Sequence, residues 1–157
     1  MIDANLAVSA RPNEPGQSNM SPGEGVALWK QYMQPLAAQG YKLGAPATSS
    51  NPNGLVWVKS FIQQCDGCTI DFIPVHWYDV SASSFIAYVE LWHNAFNKPI
   101  WVTEWACQNF NGGAQCSASD VKTFLETTTA WLDQQWYVER YAWFGAMRNM
   151  QGVNTDK

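Results

Sequence analysis

Charge is scarce in this chain. Asp, Glu, Lys and Arg make up 14% of its 157 residues, against roughly 25% in an average globular chain. With 46% hydrophobic residues, that shortage excludes a chain kept unfolded by its own charge, and a charged coiled coil as well. Basic residues are the rarer sign, nine against thirteen acidic ones, for a formal net charge of −4. They form no stripe that would neutralise phosphates, so no nucleic-acid partner is expected. Apolar runs all fall short of the roughly 18 residues a membrane span needs. The opening MIDANLAVSARPNEP lacks a basic stretch followed by an apolar one, so no signal peptide is expected. This length suggests one domain.

Aromatic surface, by contrast, is abundant. Tryptophan occurs nine times, at 29, 57, 77, 92, 101, 105, 131, 136 and 143. Flat aromatic faces stack on the C–H faces of sugar rings, and they also fill cores. Composition leaves both uses open.

Helical and extended segments alternate. Ser21-Pro22-Gly23-Glu24 is a capping-box sequence with proline at the first helical position. Val26, Trp29, Met33 and Leu36 then recur at helical spacing up to a stop at Gly40. Tyr41–Ala45 reads as a short strand closed by Pro46. A helix over 55–64 follows, with Leu55, Val58, Phe61 and Ile62 on one face. After it come a strand over 70–76, a helix near 83–97, a strand over 99–103, a helix near 119–134 and a strand over 138–144. Leu6–Ala10 fits a further strand at the start. Strands separated by helices of this length make parallel βαβ units, because the chain must cross back between them. The fold class is therefore α/β, with five strands and four helices.

Chemistry-bearing residues gather where these strands end. In Arg11-Pro12-Asn13-Glu14-Pro15 the prolines hold Arg11 and Glu14 extended, so the Asn-Glu pair is displayed; a solvated loop glutamate is the plainer reading. In Trp101-Val102-Thr103-Glu104-Trp105 an apolar strand runs into a glutamate, which burial makes costly unless it is paired. The carboxyl end of a parallel strand is also where such architectures place catalysis. His76, Trp77 and Tyr78 close another strand, as a sugar-binding group or a polar rim, and Trp143 closes the last, as core or platform. Hydrolysis of a glycoside with retention needs two carboxyls about 5–5.5 Å apart. Glu14 and Glu104, on separate strand ends, could supply them.

Cys65-Asp66-Gly67-Cys68 admits a thiol redox motif or half a zinc site. Cys107 and Cys116 are spaced wrongly for a second zinc knuckle, and Cys65 ends a helix rather than opening one. Two local disulfides are the favoured reading, and they imply an oxidising compartment.

Asn13-Glu14-Pro15, His76-Trp77-Tyr78, Trp101–Cys107 and Tyr141-Ala142-Trp143-Phe144, in that order, resemble glycoside hydrolase family 128, the fungal Asl1-like endo-β-1,3-glucanases. The resemblance implies a (β/α)8 TIM barrel of which this chain carries about strands four to eight, with residues 1–12 an atypical lead-in to a single partial catalytic domain over 1–157. It implies Glu14 as acid/base and Glu104 as nucleophile. Asn13 would bond a sugar hydroxyl, His76, Trp77, Tyr78 and Trp143 would line the groove, and Trp105 would add a stacking contact. The partner implied is β-1,3-glucan, with no metal or cofactor, in the extracellular space or cell wall. The chain departs from the family pattern at Ser9–Pro12, at Gly16 and in length, since such barrels take at least about 200 residues. Unpaired barrel edges would then favour self-association. A non-catalytic β-glucan-binding remnant is the alternative reading.

Overall fold

The computed structural model describes residues 19–145, so Asn13, Glu14 and the expected strand Leu6–Ala10 lie outside the described residues. The chain divides into two compact units, Met1–Pro74 and Val75–Lys157.

In the first unit, Ser21 caps α1 (Pro22–Leu28) through a reciprocal capping box with Glu24. The Ser21 hydroxyl and N–H both donate to the Glu24 carboxylate, which holds its pKa below the usual value. The helix does not run evenly to Gly40 as its periodicity suggests. Trp29–Met33 widens into a π-helical turn, with the Gln34 N–H reaching the Trp29 carbonyl, before α2 (Gln34–Ala37) resumes. The cause is Pro35: it offers no N–H to the turn before it, and its ring crowds the carbonyl four residues back. A π-bulge relieves both. Gly40 then takes φ +85°, the left-handed conformation that ends helices.

Asn51 caps α3 (Pro52–Gln64), whose Phe61 meets the buried Trp29 ring edge-on at 5.5 Å. A Cβ at Gly25 would come within 2.8 Å of the Trp57 ring, so glycine there lets the two helices close up. The disulfide Cys65–Cys68 closes the turn after α3. The expected strand at 41–45 shrinks to one parallel bridge, Gly44 to Phe72. Pro46 has no N–H to continue a ladder, and the Asp71 carboxylate takes the Leu43 N–H at 2.6 Å.

The second unit is built on a sheet of order β1–β2–β3, in which β1 (Ile73–Tyr78) starts at the boundary, followed by β2 (Ile100–Ala106) and β3 (Val138–Trp143). β2 and β3 are parallel, with Ile100 opposite Val138 and Val102 opposite Tyr141. α4 (Ala82–Phe96) and α5 (Ala118–Leu132) make the returns, within about two residues of the positions their periodicity sets. Ser81 and Ser117 cap them, and Asn97 ends α4 in the left-handed region at φ 48°. The stripes Phe85, Val89, Trp92 and Phe124, Thr128, Leu132 are buried. The α/β reading with parallel strands holds here. Cys107 and Cys116 form a second disulfide, so both pairs are joined as their spacing favoured.

Candidate active site

Alternation along a strand decides which side chains meet. Glu104 is near the carboxyl end of β2, and Trp105 beside it must point to the opposite face. On β1, His76 and Tyr78 are two residues apart and share a face, while Trp77 takes the other. The first face is the polar one. The Tyr78 hydroxyl donates to Glu104 Oε2 at 2.7 Å, and His76 Nδ1 lies 3.6 Å from the same oxygen. The His76 side chain is 3% exposed and that of Glu104 26%. The carboxylate is thus anchored from below and open to solvent in part. Held on one oxygen by a phenol, such a group can present a lone pair to an electrophile without first reorienting.

Two residues not singled out by their sequence complete this face. The Tyr78 ring meets Phe110 at 5.2 Å and Phe144 at 5.6 Å, both edge-to-face. Phe144 follows β3, and its N–H donates to the Trp105 carbonyl at 3.1 Å. Phe110 belongs to the loop between Cys107 and Cys116 and is 61% exposed. One aromatic among small and amide residues between two cysteines was the available signal for it.

The other face is an aromatic layer. Trp77 packs on Phe85 and Tyr88 of α4. Trp105 is 1% exposed, stacks on Phe85 and donates its indole N–H to Thr128 Oγ1 of α5 at 3.2 Å. Trp143 packs against Trp105 and Phe124. The expectation that Trp77 and Trp105 line a sugar groove is corrected accordingly: each is one residue out of phase with the polar face and is buried in the sheet–helix core, while Trp143 is half-buried against the same aromatic layer. Trp29, Trp92 and Trp101 are buried as well. His76, Tyr78 and Glu104 are the expected site residues that come together. Asn13 and Glu14 lie outside the described residues.

Residues 8–157 match the family model described as glycosyl hydrolase catalytic core. The chain belongs to that family. The resemblance to family 128 also holds among solved structures. This catalytic core is 31% identical to a family 128, subgroup V exo-β-1,3-glucanase from Cryptococcus neoformans, with a TM-score of 0.80 over 91% of this chain and 59% of that one. It is 34% identical to a subgroup I endo-β-1,3-glucanase from Amycolatopsis mediterranei solved with laminaritriose, with a TM-score of 0.76 over 88% and 61% of the two chains. Alkali-sensitive linkage protein 1 of Schizosaccharomyces pombe is 38% identical over 122 residues, 76% of this chain. The chain spans 22% of that curated relative's length and somewhat over half of those of the two glucanases.

Proposed function

We propose that this catalytic core hydrolyses β-1,3-glucan internally and with retention of configuration, on residues that correspond to strands four to eight of a (β/α)8 barrel. The observation that carries the reading is Glu104, at the carboxyl end of a parallel strand and fixed by Tyr78 and His76. Family membership and the names of the similar glucanases support the substrate class. A Glu104 oxygen attacks the anomeric carbon as its bond to the bridging oxygen breaks. Glu14 gives its proton to that departing oxygen. Glu14 then takes a proton from water, whose oxygen displaces Glu104 from the sugar and restores both carboxyls. Asn13 bonds the hydroxyl next to the reacting carbon. The two disulfides fit an oxidising compartment, the extracellular space or cell wall.

Release of reducing ends from laminarin by the wild type, Glu14→Ala and Glu104→Ala tests the mechanism. Loss of turnover in both variants is expected, with mixed oligosaccharides as early wild-type products. Equal residual activity in all three removes the two-glutamate mechanism. Binding to insoluble β-1,3-glucan with no reducing ends released would instead assign a binding role.

A further inference from the structure

We propose that Phe110 is a substrate-positioning residue, the platform on which one glucose ring of a β-1,3-glucan stacks beside Glu104; this rests on the function proposed above. Phe110 is the one aromatic side chain of the loop between Cys107 and Cys116 and is 61% exposed. A phenyl this exposed gains little from burial in the fold, yet this loop is tightly organised. The disulfide Cys107–Cys116 closes it with a Cα–Cα distance of 6.0 Å. Inside that ring, Gln115 Oε1 accepts from the Asn109 N–H at 3.0 Å and from Gln108 Nε2 at 3.1 Å, and Gln115 Nε2 donates to the Asn109 carbonyl. Asn109 Oδ1 accepts from the Asn111 N–H at 2.7 Å. Gly112 turns the chain at φ +77°.

These bonds bracket Phe110 on both sides and fix the backbone that carries it. The ring is then set edge-to-face on Tyr78, the residue that donates to Glu104. Only one side chain separates the phenyl from the reacting carboxylate. A pyranose with equatorial substituents has an apolar C–H face, and the electron-rich face of an aromatic ring attracts it. Fixing the platform in advance lowers the ordering cost of binding. Trp77, Trp105 and Trp143 are committed to the other face of the sheet, which leaves the aromatic contact on the polar face to Phe110 and its neighbours.

Calorimetric titration of the full chain with laminaripentaose tests this, alongside laminarin turnover. Phe110→Ala is expected to weaken binding about ten-fold or more with an unchanged melting temperature, and Phe110→Tyr to restore it. Wild-type affinity in Phe110→Ala, while Glu104→Ala still abolishes turnover, overturns the platform and leaves the proposed function standing. Weakened binding that Phe110→Tyr does not restore, with a lowered melting temperature, makes the residue structural and also overturns it. A wild type that neither binds nor cleaves overturns both.

Discussion

A hydrogen bond from Tyr78 and a nearby imidazole both converge on Oε2 of Glu104, so orientation of that carboxylate is set by β1 rather than by its own strand. Hydrogen bonds to charged groups contribute about 1.5–3 kcal/mol, and each 1.36 kcal/mol is about ten-fold in rate. Tyr78→Phe keeps the ring contacts with Phe110 and Phe144 and removes only the donor. Its kcat on laminarin is expected to fall about 10- to 100-fold at temperatures where the variant is still fully folded, with a melting temperature lowered by roughly a few degrees. A variant with wild-type kcat would show that the phenol does not position Glu104 for turnover. At this scale Glu104, His76 and Tyr78 were legible because strand-end polar residues after apolar runs are conspicuous. Phe110 was not, because an exposed loop aromatic carries no periodic signal.

Helix α5 begins with Ser117 and Asp120 in a reciprocal cap, the Asp120 carboxylate accepting from both the hydroxyl and the N–H of Ser117. Those two bonds lower the Asp120 pKa. A carboxyl lowered on folding contributes stability above its unfolded pKa and loses it as pH falls through the folded value. Asp120→Asn should therefore be less stable than wild type near neutral pH. The gap should close on acidification past the ordinary aspartate range, as measured by urea unfolding at a series of pH values. A gap independent of pH would mean the carboxylate charge has no part in it. Helices α3, α4 and α5 were legible because apolar residues recur in each at a three-to-four spacing. The π-helical turn was not. Pro35 interrupts a pattern whose apolar positions still look continuous, and the backbone alone shows how the proline is absorbed.

At the scale of the molecule, β3 ends the sheet order among the described residues, and its four middle residues are exposed. Trp136, just before it, is 84% exposed. Exposed strands and indoles favour contact between copies. Sedimentation is expected to show a mass that rises with concentration, and Trp136→Ser to reduce that rise. A single monomeric species across the concentration range, with one cooperative melt, would count against self-association.

Residue order alone indicated the alternation of helices and strands from α3 to β3 and the parallel sense of the sheet, and it favoured two local disulfides, because these depend on spacing over a few residues and on the length a return crossing needs. It also marked Glu104 as a strand-end carboxylate. Tertiary structure decided which aromatics serve the core. Trp77, Trp105 and Trp143 stand one residue from the polar face on their strands, and only the pairing of those strands with α4 and α5 shows which side of the sheet the helices cover.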